Sequence, residues 1–197
     1  MARLLATEMN AQLEWKQMEF AVLLGALERG DVDAVIATMG ATPERAERVL
    51  LSNPYFTTSL RVIVRRGADE PTRLVDLAGR QVSAGLGTTS ERALRDRLPN
   101  AIPAAPTRKG ADSIDRLLAG EVDALIMDGP DAFDFAREYP SKLSIIEEPL
   151  DKERYVVLVR PTGEDWVVRI NAAILAIRET GAMSGLDHQF GLTPDIH

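Results

Sequence analysis

Residues 27–36 and 117–126 share one pattern, Leu-x-x-Gly-acid-Val-Asp-Ala-apolar-Ile, with Gly30 aligned on Gly120, Asp33 on Asp123 and Ile36 on Ile126. Each copy reads as the last turn of a helix, a glycine in the left-handed position after it, and a short buried strand. A helix–cap–strand unit that recurs 90 residues later, in a chain of 197, points to two lobes of similar build rather than one continuous sheet.

The rest of the chain alternates in the same way. Helical patterns are expected over 3–9, 20–27, 45–51, 91–98, 112–118, 131–138 and 166–180, with a single helical turn at 72–77 and a last short helix at 186–190. Strands are expected around Leu13 and Trp15, at 32–37, 60–64, 81–84, 122–127, 143–146 and 154–160. Asn100 to Pro106, with its prolines, fits an edge strand. Helix and strand alternate throughout, so the expected class is α/β with a largely parallel sheet.

Composition removes several functions. A net charge of −7 argues against a nucleic-acid partner, which selects for a basic face. With no cysteine there is neither a disulfide nor a thiolate site, and with two histidines, His188 and His197, a histidine-held metal is not expected. No cofactor motif is present: the chain has no phosphate-binding loop and no Gly-x-Ser-x-Gly elbow. No apolar run is long enough to insert into a membrane. Glu8 falls too early for the apolar core of a signal peptide, so the opening residues read as an amphipathic helix.

Ligand-binding groups in α/β folds sit beyond the carboxyl ends of strands, and a two-lobed chain is expected to place its ligand in the cleft between lobes. Thr42-Pro43-Glu44-Arg45 follows the first repeat's strand as an N-cap, a proline at the first helical position, an acid and a cation. A cation in a first turn opposes the helix dipole by roughly 0.3–1 kcal/mol, and an anionic ligand would explain it. Asp128 follows the second repeat's strand. Gly87-Thr88-Thr89 opens a helix after the strand at Val82, and Thr88 and Glu91 have capping-box spacing. A cation, a helix start and a carboxylate together suit a zwitterion, of which an amino acid is the simplest. Each residue has a plainer role available: Arg45 as a surface cation paired with Glu44 or Glu47, Asp128 as an N-cap, Thr88 and Thr89 as ordinary caps. Trp15, Trp166, Tyr55 and Phe56 are expected to pack, and His188 to lie at the surface.

Gly-Asp-Val-Asp-Ala-Val-Ile from Gly30, Thr42-Pro43-Glu44-Arg45, Ser52-Asn53-Pro54-Tyr55, Asp76-Leu77-Ala78-Gly79, Gly87-Thr88-Thr89 and Gly120-Glu121-Val122-Asp123-Ala124 occur in one order. In that order they resemble the family 3 solute-binding proteins, the polar amino-acid receptors of ABC importers. The resemblance implies an α/β, two-lobed fold of the type II periplasmic-binding-protein kind. Its lobes would span 1–62 with 157–197, and 63–156. It implies that Arg45 pairs with the ligand carboxylate, that Thr89 with Thr88 binds the same group, that Asp128 accepts from the α-amino group, and that Thr38 and Gly40 add contacts. It implies an amino acid and a membrane permease as partners, no metal or cofactor, and work in the periplasm or outside the cell; without an export signal, a genuine start at Met1 would leave the chain in the cytoplasm.

Two departures stand out. The family's first strand and its aromatic loop have no counterpart ahead of Ala2, so the first lobe is expected to be N-terminally truncated. A gap or unpaired edge would follow, open to a strand-filling partner or a dimer. Gly40-Ala41 also replaces a hydroxyl and a β-branched residue common in the family. Two further functions share the fold: a cyclohexadienyl or arogenate dehydratase, for which Glu153 would be the acid although it reads as a surface residue, and a ligand-sensing module.

Overall fold

The computed structural model describes residues 1–107 and 110–182. The expected helix at 186–190 and His188 lie outside them. The chain divides into two compact units, residues 1–57 with the segment from 154 onward, and residues 58–153. The expected lobe boundaries at 62/63 and 156/157 lie five and three residues further along the chain than these divisions.

Unit 1 holds a three-stranded sheet of order β1–β9–β2, from β1 (Ala34–Val35), β2 (Leu50–Leu51) and β9 (Leu158–Val159). Both outer strands run antiparallel to β9. Helices α1 (Ala2–Glu8) and α7 (Glu164–Glu179) belong to one face, where Leu5, Val157, Val159, Ile170, Ile174 and Ile177 form a core. Helix α2 (Phe20–Arg29) belongs to the other, where Leu27, Val35, Met39, Val156 and Leu158 meet. Successive residues 156 to 159 feed opposite cores, as strand alternation requires. Tyr55 and Phe56 pack on Tyr155, the Phe56 ring stacked at 5.6 Å.

Unit 2 is built on a sheet of order β5–β4–β6–β3–β7, with β8 (Asp151–Tyr155) also paired to β3. The long strand β3 (Phe56–Arg65) runs antiparallel to β6 (Ala124–Asp128) and β7 (Leu143–Ile145), while β4 (Gln81–Ser83) is parallel to β6 and to the edge strand β5 (Ile102–Pro103). Val62, Val64, Val82, Ala124 and Ile126 face α4 (Thr89–Arg97). Ile63 and Leu125, one residue out of step, face α5 (Gly110–Ala119) and pack with its Ile114 and Leu117. Helix α6 (Gly129–Glu138) follows β6 directly.

Three local expectations need correction. The sheet of unit 1 pairs antiparallel throughout and that of unit 2 is mixed, neither largely parallel, because β9 and β3 sit inside their sheets and run against their neighbours. The helix expected at 45–51 stops after four residues as α3 (Pro43–Ala46), and Leu50 and Leu51 leave it to pair with β9. The strand expected around Leu13 does not form, the stretch 11–19 having no regular secondary structure, and Trp15 is 63% exposed rather than packed.

The repeat is structurally real. Gly30 and Gly120 have φ of 79° and 83°. Their N–H groups donate to Leu27 O and Leu117 O, and the following Asp31 and Glu121 donate to Ala26 O and Arg116 O. These are matched Schellman caps. They differ in surroundings: a Cβ on Gly30 would meet nothing, whereas one on Gly120 would come within 3.2 Å of the Arg65 guanidinium. That guanidinium clamps the turn through Leu117 O and Val122 O, both at 2.9 Å. Gly30→Ala is therefore expected to lose about 1 kcal/mol from left-handed strain alone, and Gly120→Ala more, since it also displaces Arg65. Urea unfolding of the two variants compares them directly.

The Asp76 motif has a similarly local cause. Its Oδ2 accepts from Thr72 N at 3.2 Å and Arg73 N at 2.9 Å, and its Oδ1 from Arg73 Nη2 at 3.0 Å. The Arg73 side-chain bond, then the backbone bonds, hold the carboxyl below its ordinary range. Its folded value is depressed, so its contribution to stability is present above the unfolded carboxyl range and is lost as pH falls through the folded value. An NMR titration is expected to place the Asp76 midpoint below that of an unfolded-chain aspartate, and Arg73→Ala to move it up.

Candidate functional site

In unit 1, the Thr42 hydroxyl caps α3 by accepting from Arg45 N at 3.2 Å, with Pro43 at the first helical position, as the sequence pattern requires. Arg45 is buried, 8% exposed. Its Nη1 donates to Gly40 O at 2.6 Å, and its Cζ lies 5.7 Å from the centre of the Phe20 ring. This overturns the picture of a surface cation. The opposition to the helix dipole also largely disappears, because a four-residue helix sums few peptide dipoles. The guanidinium is held by a backbone carbonyl and an aromatic face among its contacts, an arrangement that fixes a planar fork.

Gly40 therefore positions Arg45 through its carbonyl. Its backbone is itself pinned by a bridge to Tyr155, and the next residue, Ala41, donates to Arg154 O at 2.9 Å. Thr38, three residues beyond the end of β1, is exposed and has φ of 47°. A threonine in left-handed backbone costs roughly 1–3 kcal/mol, and such strain gathers at functional sites.

In unit 2, Asp128 ends β6 and stands at the N-cap of α6, yet its side chain makes no capping hydrogen bond. The plain capping role for Asp128 is thereby removed. Asp128 lies opposite Leu60 in the β3–β6 ladder. The next residue, Gly129, lets β3 approach: a Cβ there would stand 2.9 Å from Thr58 Oγ1 and 3.1 Å from Ser59 O. Thr58 and Ser59 are buried hydroxyl residues that the sequence pattern missed, because a strand read from its aliphatic run begins at Leu60. One position on, Arg61 donates to Glu147 O at 2.7 Å and lies 5.6 Å from the centre of the Phe133 ring.

Thr88 caps α4 as expected. Its hydroxyl donates to Gly85 O at 2.7 Å and accepts from Glu91 N at 3.3 Å. The capping box is displaced by one residue, since Glu91 Oε2 accepts from Gly87 N at 2.8 Å. Both hydrogen-bonding functions of the Thr88 hydroxyl are thus engaged. The Thr89 and Ser90 N–H groups, at the positive end of the helix, have no acceptor among the described residues. Such orphan donors bind anions.

Glu153, expected at the surface, is buried at 3% exposure near the end of β8. Among the described residues no group of three or more carboxylate and imidazole side chains is placed to hold a metal, and no helix is long and apolar enough to cross a membrane.

Known proteins supply the context for these groups. The model of the bacterial extracellular solute-binding proteins, family 3, matches residues 1–193. The L-cystine-binding protein TcyJ of Escherichia coli (strain K12) is 24% identical over 190 residues, which is 96% of this chain and 71% of the relative. A solved ancestral arginine-binding protein bound to arginine superposes with a TM-score of 0.89 at 28% identity, covering 96% of this chain and 84% of that one. The ancestral amino acid-binding protein AncCDT-1, a precursor of cyclohexadienyl dehydratase, gives 0.87 at 26% identity, over 96% and 82%.

Proposed function

Because the chain belongs to the bacterial extracellular solute-binding proteins, family 3, we propose that it binds a polar or charged α-amino acid and passes it to an ABC importer in the membrane. The observation that carries this reading is the buried Arg45 guanidinium, oriented by Gly40 O and the Phe20 ring. A cation fixed in this way recognises a carboxylate by a planar, paired contact. The Thr89 N–H, with that of Ser90, supplies a second carboxylate contact. Thr88 holds the loop in which those donors stand. Asp128, which caps nothing, takes the ammonium group. Thr38 adds a hydroxyl, and Gly40 acts by positioning Arg45.

L-Arginine is the first ligand to test, given the arginine-bound ancestral protein. Thermal shift against the twenty amino acids is the experiment. At about one hundred times its Kd, a true ligand stabilises by roughly 2.7 kcal/mol. For a chain of this size that is a rise in Tm of about 5–10 °C. A rise confined to one or a few polar amino acids supports the reading, and no rise with any of them counts against it.

The buried Glu153 gives a second reading, a dehydratase that protonates a leaving hydroxyl, its weight coming from the burial and from the dehydratase precursor. A dehydratase would turn over prephenate or arogenate and lose that turnover in Glu153→Gln; the binding protein is expected to show none with either form. Of the partners expected from the sequence, the amino acid and the permease belong to this reading. The strand-filling partner or dimer expected at lobe 1 is no part of it.

A further inference from the structure

The start of α4 can hold a carboxylate only if the loop 84–88 in front of it keeps one shape, because orphan N–H groups recognise an anion by their direction. From the helix side, Thr88 and Glu91 hold that loop at Gly85 O and Gly87 N. From the other side it is held by Thr107. Thr107 N donates to Ala84 O at 3.2 Å, and Thr107 O accepts from Leu86 N at 2.9 Å, with Gly85 between them as the bridge partner of Thr107.

Thr107 is in turn fixed by α5. It is buried, and its hydroxyl shares a hydrogen bond with that of Ser113, also buried, in the first turn of α5. Further along the helix, Arg116 Nη1 donates to Ala105 O at 2.8 Å while its Nε pairs with Glu121 at 3.2 Å. Ser113 and Arg116 are three residues apart and share a face of α5. That face therefore grips the segment 105–107 at both ends. Prolines at 103 and 106 stiffen the approach to it. Ala104 N, donating to Val82 O at 2.8 Å, sets its register along β4. Support thus runs from α5 through 105–107 to the loop 84–88, and so to the Thr89 and Ser90 N–H groups. A satisfied buried hydroxyl pair sets a distance and a direction, which aliphatic side chains of the same size would not.

We propose that Thr107 and Ser113 are positioning residues of the carboxylate site. Their hydroxyl pair sets the direction of the Thr89 and Ser90 N–H groups through the loop 84–88, without touching the ligand. What the loop holds rests on the amino-acid reading; how the loop is held does not.

Thr107→Val and Ser113→Ala each remove one hydroxyl, the double variant removes both, and Thr107→Ser keeps the pair. Hydrogen exchange at Leu86 N–H, followed by NMR on the full chain without ligand, reads the clasp directly. It is expected to be at least about tenfold faster in Thr107→Val and in Ser113→Ala than in the unmodified chain or Thr107→Ser. Calorimetry with the amino acid that the thermal screen selects reads the site. Each single variant is expected to bind about tenfold more weakly, and the double variant no more weakly than the weaker single one, because the two hydroxyls act as a unit. Thr107→Ser should bind like the unmodified chain. Thermal unfolding should stay cooperative in every variant, which separates a displaced loop from a lost fold. Unchanged exchange at Leu86 in both single variants overturns the clasp, whatever the chain binds. Faster exchange with unchanged affinity overturns its part in binding, as do losses that add in the double variant. An unmodified chain that binds no amino acid overturns the amino-acid reading and the clasp's part in binding together, and exchange at Leu86 then decides the clasp alone.

Discussion

Arg45→Ala is expected to weaken amino-acid binding by at least about thirtyfold. Truncating one partner of a desolvated charge pair costs about 2–5 kcal/mol, which is roughly thirtyfold to several thousandfold in Kd. The same change removes the bond to Gly40 O and the contact with Phe20. Some stability, about 1–3 kcal/mol, should go with it, because Gly40 O loses a charged donor. Two controls separate these effects. Thermal unfolding of the variant should stay cooperative, so the loss of binding is not a loss of fold. Arg45→Lys keeps the charge but not the fork and is expected to bind with intermediate affinity. Calorimetry on the three proteins reads the series, and near-parental affinity in Arg45→Ala would remove this residue from the site.

Asp128→Asn has the second-largest expected effect, a loss of roughly 2–5 kcal/mol of binding free energy, because an ammonium group would lose its counter-charge. Here the cap of α6 should be untouched. The Asp128 side chain makes no capping bond, so the amide has no cap to weaken. A helix that depended on Asp128 would lose about 1 kcal/mol on this change. Parental stability with weakened binding is the expected pattern; weakened stability with parental binding would return Asp128 to a structural role.

How much of this could be read from the sequence depended on how local the cause was. Gly30, Gly120 and the Thr42-Pro43 cap were legible because each answers to backbone geometry within a few residues. The length of α3 was not, since Leu50 and Leu51 are drawn off by pairing with β9, more than a hundred residues away in the chain. Arg45 showed the same limit. Its position after a strand was visible, but its burial was not, because its partners include the Gly40 carbonyl and the Phe20 ring, neither of which a run of charged neighbours announces.

Trp15 failed for a related reason. Its segment has the composition of a strand, but a strand forms only against a neighbour, and it has none among the described residues. Thr58 and Ser59 were missed because hydroxyls carry no hydrophobic signal, although β3 continues through both. Glu153 was placed at the surface by its charged neighbours, Lys152 and Arg154. Strand alternation instead turns it inward while those two stay exposed.

The central claim is that an α-carboxylate is recognised by Arg45 and the start of α4, with Asp128 taking the amine. Calorimetric titration of the unmodified chain with L-arginine and with its carboxyl-blocked amide tests it most directly. The account predicts saturable binding of L-arginine, or of whichever amino acid the thermal screen selects, and no detectable binding of the corresponding amide. Equal affinity for acid and amide would contradict it, because a ligand without a carboxylate offers Arg45 nothing to hold.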